Sequence, residues 1–279
     1  MKRGELQAML ASRGLRPNQR FGQNFLVDPA LLQAIPQDAK VQAGDAVLEI
    51  GPGAGALTAA LLAVGAQVFA VELDHGLFAW LEESFADALD SGQLQLVQGD
   101  ALGKDPLLHP KVEEWWAKYS QAKVVANLPY SISGPFLGRL PGRSMQGACL
   151  LLQKEMAEKA VGATGKSVGP LSIRLALSFH AQMGRRLPPE VFWPRPKVDS
   201  AFLHLQPRAD APSQAEQTLL KEMLSGAFQQ RRKKVFPRLR SAYPLAADAL
   251  TAQGVASDDR PETVSPALWL AAVRAQLLA

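Results

Sequence analysis

Five short apolar runs, separated by helical patterns, constrain the fold of this chain more than any other feature. They are Val47-Leu48-Glu49-Ile50, Val68-Phe69-Ala70-Val71, Leu94-Gln95-Leu96-Val97, Val124-Val125-Ala126 and the stretch from Ala148 to Leu152. Between them, Leu57 to Val64 reads as a helix ended by Gly65, and His75 to Leu89 as one ended by Ser91-Gly92. Continuous apolar runs imply strands buried on both faces, and strands alternating with helices imply a parallel sheet covered by helices. The expectation is therefore an α/β fold. Val198 to Leu205, after Pro194-Arg195-Pro196, reads as a late antiparallel strand.

Beyond Gln206-Pro207-Arg208-Ala209-Asp210-Ala211-Pro212 the pattern changes. Ser213 and Glu216 form a capping-box signature, and Leu219, Leu220, Met223, Leu224, Ala227 and Phe228 trace one helical face. Pro237 is expected to stop or bend the chain, and Ser265-Pro266 to open a last helix with Leu268, Trp269 and Val273. The organisation expected is a main domain over 1–206 and a small helical domain over 207–279.

The strand ends carry the chemistry. Glu49-Ile50-Gly51-Pro52-Gly53-Ala54-Gly55 follows the first strand, where glycines such as Gly51 and Gly53 let the backbone turn tightly against a ligand. Glu72 ends the second strand, placed to accept hydrogen bonds from ribose hydroxyls, and Asp100 follows the third, within reach of an adenine edge. Asn127-Leu128-Pro129-Tyr130 follows the fourth. There the Asn127 amide oxygen is an acceptor, Pro129 stiffens the turn and Tyr130 adds a flat ring. An acceptor beside an aromatic platform suits an amino-bearing planar ring such as adenine, swung out of its stack. Together these positions imply an adenosine-containing ligand at the carboxyl edge of the sheet.

Other chemistries fit poorly. His75, His109, His180 and His204 are scattered without zinc spacing, so no metal is expected. Gly162-Ala163-Thr164-Gly165-Lys166-Ser167 has two residues where a phosphate loop needs four, and reads as a loop. Cys149, the single cysteine, lies in an apolar run and reads as a buried structural thiol. No apolar run approaches the roughly 18 residues of a membrane span. The N-terminal stretch with Lys2, Arg3, Arg13, Arg16 and Arg20 has no apolar core of a secretory signal, so the expected location is cytoplasmic. Charge is uneven: ten acidic residues against two lysines lie between Glu72 and Glu114, and six basic residues with no acid between Met223 and Ala247. The cluster Arg231-Arg232-Lys233-Lys234 favours a polyanionic partner, with a solvated helix face as the alternative.

In these motifs the chain resembles the bacterial small-subunit (16S) rRNA adenine N6-dimethyltransferases, the KsgA/RsmA family. The resemblance runs from about residue 20 to about 240. Besides the segments above it rests on Phe21-Gly22-Gln23-Asn24-Phe25-Leu26, Val71-Glu72-Leu73-Asp74, Gly99-Asp100-Ala101 and Leu152-Gln153-Lys154-Glu155. It continues in Phe192-Trp193-Pro194-Arg195-Pro196-Lys197-Val198-Asp199-Ser200 and Phe228-Gln229-Gln230-Arg231-Arg232-Lys233. It implies a Rossmann-like class I methyltransferase with S-adenosylmethionine as cofactor, held by Asn24, Leu26, Gly51, Gly53, Glu72, Asp100 and Asn127. The N-terminal segment would cap that cofactor. The implied reaction is dimethylation of two adjacent adenines near the 3′ end of small-subunit rRNA, on a partly assembled 30S particle, by a monomer. Val168, where relatives commonly carry Tyr, and Pro237, where they continue a helix, depart from the family pattern.

For that chemistry the Asn127 oxygen and a backbone carbonyl, that of Leu128, would accept the two amine hydrogens and aim the nitrogen lone pair at the methyl. Tyr130 would stack on one face of the base and Phe192 on the other, with a core contact as the alternative for Phe192. Arg231, Arg232, Lys233 and Lys234 would contact rRNA phosphates. Competing readings are methylation of large-subunit rRNA or DNA adenine, and a nucleic-acid-binding assembly or transcription factor with little or no catalysis.

Overall fold

The computed structural model describes residues 2–18, 21–162, 168–229 and 235–278. The chain divides into two compact units: one of 1–139, 144–157 and 182–206, the other of 140–143, 158–181 and 207–279.

The first unit is built on a seven-stranded sheet. In chain order the strands are β1 (Phe25–Leu26), β2 (Ala46–Ile50), β3 (Gln67–Glu72), β4 (Leu94–Gln98), β5 (Lys123–Asn127), β6 (Gly147–Gln153), β7 (Phe179–Leu187), β8 (Phe192–Trp193) and β9 (Ser200–Pro207). The large sheet runs β4-β3-β2-β5-β6-β9-β7, while β1 and β8 form a separate antiparallel ribbon. Pairings from β4 through β6 are parallel, and β9 runs antiparallel to β6 with Leu150 opposite Leu203. The five apolar runs are the five parallel strands, each gaining one or two flanking residues. Their side chains, Val47, Val68, Ala70, Val125 and Leu151 among them, pack with Leu32, Ile35, Leu57 and Leu61 of the covering helices. Cys149 belongs to this core, and burial pushes its thiol up to about 12, which keeps it protonated and inert.

The order places the working edge. From β2 the chain winds outward through β3 to β4, then returns to β5 on the other side of β2. Loops leaving adjacent strands in opposite directions open a crevice at their carboxyl ends, the standard ligand position in such sheets. The glycine loop after β2 and the Asn127 turn after β5 face each other across that point.

Local chemistry explains the departures from the sequence reading. The expected helix from His75 to Leu89 is two, His75–Ser84 and Ala86–Asp90, meeting at Phe85. The strand β7 is largely polar, Phe-His-Ala-Gln-Met-Gly-Arg-Arg-Leu, because it lies at the sheet edge, and no apolar run announces it.

The second unit is helical around its own core of Leu220, Met223, Leu224, Leu250, Trp269 and Val273. Ser213 caps Gln214–Phe228: its hydroxyl accepts the Glu216 N–H at 3.3 Å, while the Glu216 carboxylate accepts the Ser213 N–H at 2.6 Å. Ser265 caps Pro266–Leu277 as the sequence suggests. Pro237 opens a helix rather than stopping one: it lies in the first turn of Phe236–Ala242, where its missing N–H has no intrahelical partner to lose. Val168 is 1 % exposed within this core, an apolar use of the position. No helix among the described residues is long and apolar enough to cross a membrane.

Candidate active site

The glycine loop turns because three of its residues adopt left-handed backbone: Gly51 (φ 67°), Gly53 (φ 60°) and Gly55 (φ 81°). A side chain at Gly51 would also meet the Pro129 ring at 3.1 Å, and one at Gly53 the Phe25 ring at 3.0 Å. The loop thus lies against the Asn127 turn on one side and the N-terminal segment on the other.

Glu72 locks this loop to the end of β3. One of its carboxylate oxygens accepts the Gly53 N–H at 2.9 Å and the other the Asp74 N–H at 2.9 Å. Burial raises its pKa, and these backbone donors oppose the rise. Asp74 caps the next helix through Gly76 and Leu77 and accepts the Gln23 side-chain N–H at 3.2 Å. Asp100, exposed after β4, receives the Leu102 N–H at 2.9 Å on one oxygen.

Glu49 is the carboxyl that the sequence reading passed over. Its partner is the Thr58 hydroxyl, donating at 2.7 Å, and only 1 % of the residue is exposed. Desolvation pushes its pKa up to about 8, with Thr58 opposing and nearby Glu72 adding. The signal was an acid inside an apolar strand run, which a buried strand accommodates when the group is hydrogen-bonded and neutralised.

The Asn127 turn is arranged with similar economy. Leu128 N–H donates to the Leu151 carbonyl at 2.9 Å, and the Pro129 carbonyl accepts Ile132 N–H at 3.1 Å and the Ser133 hydroxyl at 3.2 Å. The Asn127 amide group donates to the Asn24 backbone carbonyl at 3.0 Å. A carbonyl can only accept, so the NH2 end of Asn127 must face Asn24 and its oxygen must point the other way. Among the described residues no donor meets that oxygen or the Leu128 carbonyl. Two adjacent acceptors therefore remain open beside Tyr130, whose hydroxyl shares a 2.7 Å hydrogen bond with that of Ser200.

All these groups meet in one cavity of about 270 Å³. It is lined by the predicted residues Asn24, Leu26, Gly51, Gly53, Glu72 and Asp100, by the whole tetrad from Asn127 to Tyr130, and by Glu49. Among the described residues no lysine, arginine or histidine lines it. Carboxyls with no cation among the described lining residues disfavour phosphates and favour a ligand bearing positive charge, although Glu49, protonated near neutral pH, adds no charge of its own.

Phe192 does not line this cavity. Its pairing with Leu26 in the β1–β8 ribbon turns the ring into the core, 2 % exposed, with Leu187 and Phe202. Arg231, Arg232, Lys233 and Lys234 lie outside the described residues, as do Arg20 and residues 163–167 of the phosphate-loop-like stretch.

A sheet wound outward from β2 and back to β5, with acids at successive strand ends and an Asn-Leu-Pro-Tyr turn, defines a class I methyltransferase. The family model for ribosomal RNA adenine dimethylases matches residues 14–276. The ribosomal RNA small subunit methyltransferase A of Opitutus terrae is 38 % identical over 273 residues, covering 94 % of each chain. The chain belongs to the ribosomal RNA adenine dimethylase family. Among solved structures, the 23S rRNA methyltransferase ErmE is similar with a TM-score of 0.65 and 25 % identity, covering 91 % of this chain and all of that one. A dimethyladenosine transferase from Plasmodium falciparum shares the fold with a TM-score of 0.65 at 23 % identity, covering 89 % of this chain and 95 % of that one.

Proposed function

We propose that this enzyme dimethylates the N6 amines of two adjacent adenines in the 3′-terminal stem-loop of small-subunit rRNA, on a partly assembled 30S particle in the cytoplasm. The observation that carries the reading is the pair of open acceptors, Asn127 oxygen and Leu128 carbonyl, in a carboxyl-lined cavity with no cationic side chain among its described residues. Such a cavity fits S-adenosylmethionine, which carries a sulfonium and an ammonium, and disfavours a dinucleotide. Glu72 and Asp100 would hold its ribose and adenine, Gly51 and Gly53 would let the backbone approach it, and Asn24, Leu26 and Asn127 would flank its methionine end. When bound, this cofactor supplies an activated methyl group.

The chain's own residues then need only hold and orient the acceptor. The adenine amine is a weak nucleophile because its lone pair is shared with the ring. Donating both hydrogens, one to Asn127 and one to Leu128, favours a tetrahedral nitrogen with its lone pair directed at the methyl. The same two oxygens stabilise the positive charge that grows on nitrogen during transfer. Tyr130 offers its face to the flipped base. The proton becomes acidic after transfer, so no strong general base is required.

Mass spectrometry of nucleosides from undermethylated small subunits, incubated with the protein and S-adenosylmethionine, tests this reading. N6,N6-dimethyladenosine in small-subunit rRNA is expected. Methylation confined to large-subunit rRNA, the activity named for ErmE, or none at all, would overturn it. The helical unit is proposed to dock the RNA through Arg231, Arg232, Lys233 and Lys234. Neutralising two of these should lower the log–log salt slope of RNA binding by roughly 1–2, and an unchanged slope would return the cluster to a solvated face.

A further inference from the structure

Tyr130 is held at one point that the methyl-transfer reading does not use. Its hydroxyl shares a 2.7 Å hydrogen bond with Ser200, 70 residues further along the chain. The two ends of this bond differ in freedom. Ser200 is fully buried, opens β9 and sits opposite Gln153 of β6 in the central sheet. The residue before it is pinned as well, because the Asp199 carbonyl accepts the Lys154 N–H at 3.0 Å. Tyr130, by contrast, is only partly buried on a turn at the cavity wall, and two side-chain torsions separate its ring from the backbone. The rigid partner therefore fixes the angle at which the mobile ring meets the cavity. Burial raises the Tyr130 pKa, so the phenol stays neutral and keeps both donor and acceptor capacity near neutral pH.

The two transfers place different demands on that ring. In the first, the amine has two hydrogens for two acceptors, and these hydrogen bonds alone fix the base. After one methyl has been added only one hydrogen remains, and either Asn127 or Leu128 is left without a donor. The base is then oriented by one hydrogen bond and by stacking on Tyr130, so a ring free to tilt costs the second transfer more than the first. Resting on the proposed roles of Asn127, Leu128 and Tyr130, we propose that Ser200 is a positioning residue for the second methylation, acting through the Tyr130 ring.

The experiment is a single-turnover time course on undermethylated small subunits, with monomethylated and dimethylated adenosine quantified by mass spectrometry to give both rate constants. Ser200→Ala removes the bond from the buried side, and Tyr130→Phe removes it from the cavity side while keeping the ring. Each variant should slow the second transfer about five- to tenfold, the rate equivalent of one hydrogen bond. In Ser200→Ala the first transfer should change about twofold or less, so monomethyladenosine accumulates. The double variant should be no slower than either single one, because both remove the same bond. Ser200→Thr, which restores a hydroxyl, should recover the second rate. Equal slowing of both transfers in Ser200→Ala, additive losses in the double variant, or unchanged rates in Tyr130→Phe would overturn the proposal. Tyr130→Ala separates this from the underlying reading. If it slows transfer while Tyr130→Phe does not, the base-stacking role survives and the Ser200 proposal fails. If Tyr130→Ala changes neither rate, the stacking role itself fails.

Discussion

The two ends of the central strands use polar groups in opposite ways. At the amino end, the ammonium of Lys123 at the start of β5 is paired with the Asp45 carboxylate at 2.6 Å and with the Lys40 carbonyl. Asp45 also takes the Gln42 N–H at 2.7 Å, so this end is a closed knot that joins the β2 and β5 entrances. At the carboxyl end, Asn127 terminates the same β5 with its oxygen open, and Glu49 near the end of β2 has a single hydroxyl for company. A fold stabilises itself by matching donors to acceptors, whereas a site for a cation and an amine must keep acceptors in hand. On the proposed function, one strand therefore begins in stability and ends in chemistry.

That contrast can be broken from either end. The largest effect is expected for Asn127→Ala, which removes the proposed acceptor for the charge developing on the amine. Its methyl-transfer rate should fall about 10²- to 10³-fold in single-turnover kinetics, far more than its RNA affinity falls. An unchanged rate would remove Asn127 from the amine-aligning role. Next is Lys123→Met, which leaves Asp45 with one donor. Urea denaturation should show a loss of about 2–3 kcal/mol, below the full cost of a dry pair because Asp45 is partly exposed. Undiminished stability would mean that the amino-end knot contributes nothing. Glu72→Ala should weaken S-adenosylmethionine binding by roughly 1–3 kcal/mol in calorimetry, since it removes the proposed ribose acceptor and frees the glycine loop. Equal affinity would refute the ribose assignment.

The smallest effect sharpens the comparison through pH. The Glu49 pKa is about 8 in the folded chain against 4.5 for a free carboxyl. The native state thus holds a proton that the unfolded state releases between those values. The associated stability is fully present below pH 4.5 and is lost as pH rises through 8. Between pH 7 and pH 8 this group alone should cost the ligand-free protein about 1 kcal/mol. Denaturation curves of Glu49→Gln should lack that component, and a wild-type pH dependence in the variant would show that Glu49 does not titrate there.

The parallel sheet was legible because its strands are buried on both faces and so read as unbroken apolar runs. Edge strand β7 was not, because an edge tolerates polar residues at nearly every position. The glycine loop, Glu72, Asp100 and the Asn127 turn were readable since each sits at a strand end, where sequence position fixes spatial position. Phe192 shows where that logic stops. Its place depends on a two-residue ribbon with β1, and one register step decides whether a ring faces cavity or core. Ser200 and Tyr130 were each visible in motifs, yet nothing in a linear chain joins two residues 70 apart. The orientation of the Asn127 amide likewise needs the Asn24 carbonyl, more than a hundred residues upstream.

The most direct test of this division is to measure Asn127→Ala and Lys123→Met side by side, recording for each both unfolding stability and single-turnover methylation of small subunits under conditions where the protein is folded. A crossed result is predicted. Asn127→Ala should lose no more than about 1 kcal/mol of stability, the worth of its hydrogen bond to Asn24, and be at least a hundredfold slower, roughly the effect of losing one charge-stabilising acceptor. Lys123→Met should be less stable and transfer methyl groups at the wild-type rate. If both variants lose stability and rate together, or if Asn127→Ala methylates normally, the two ends of the sheet do not divide structure from catalysis as described.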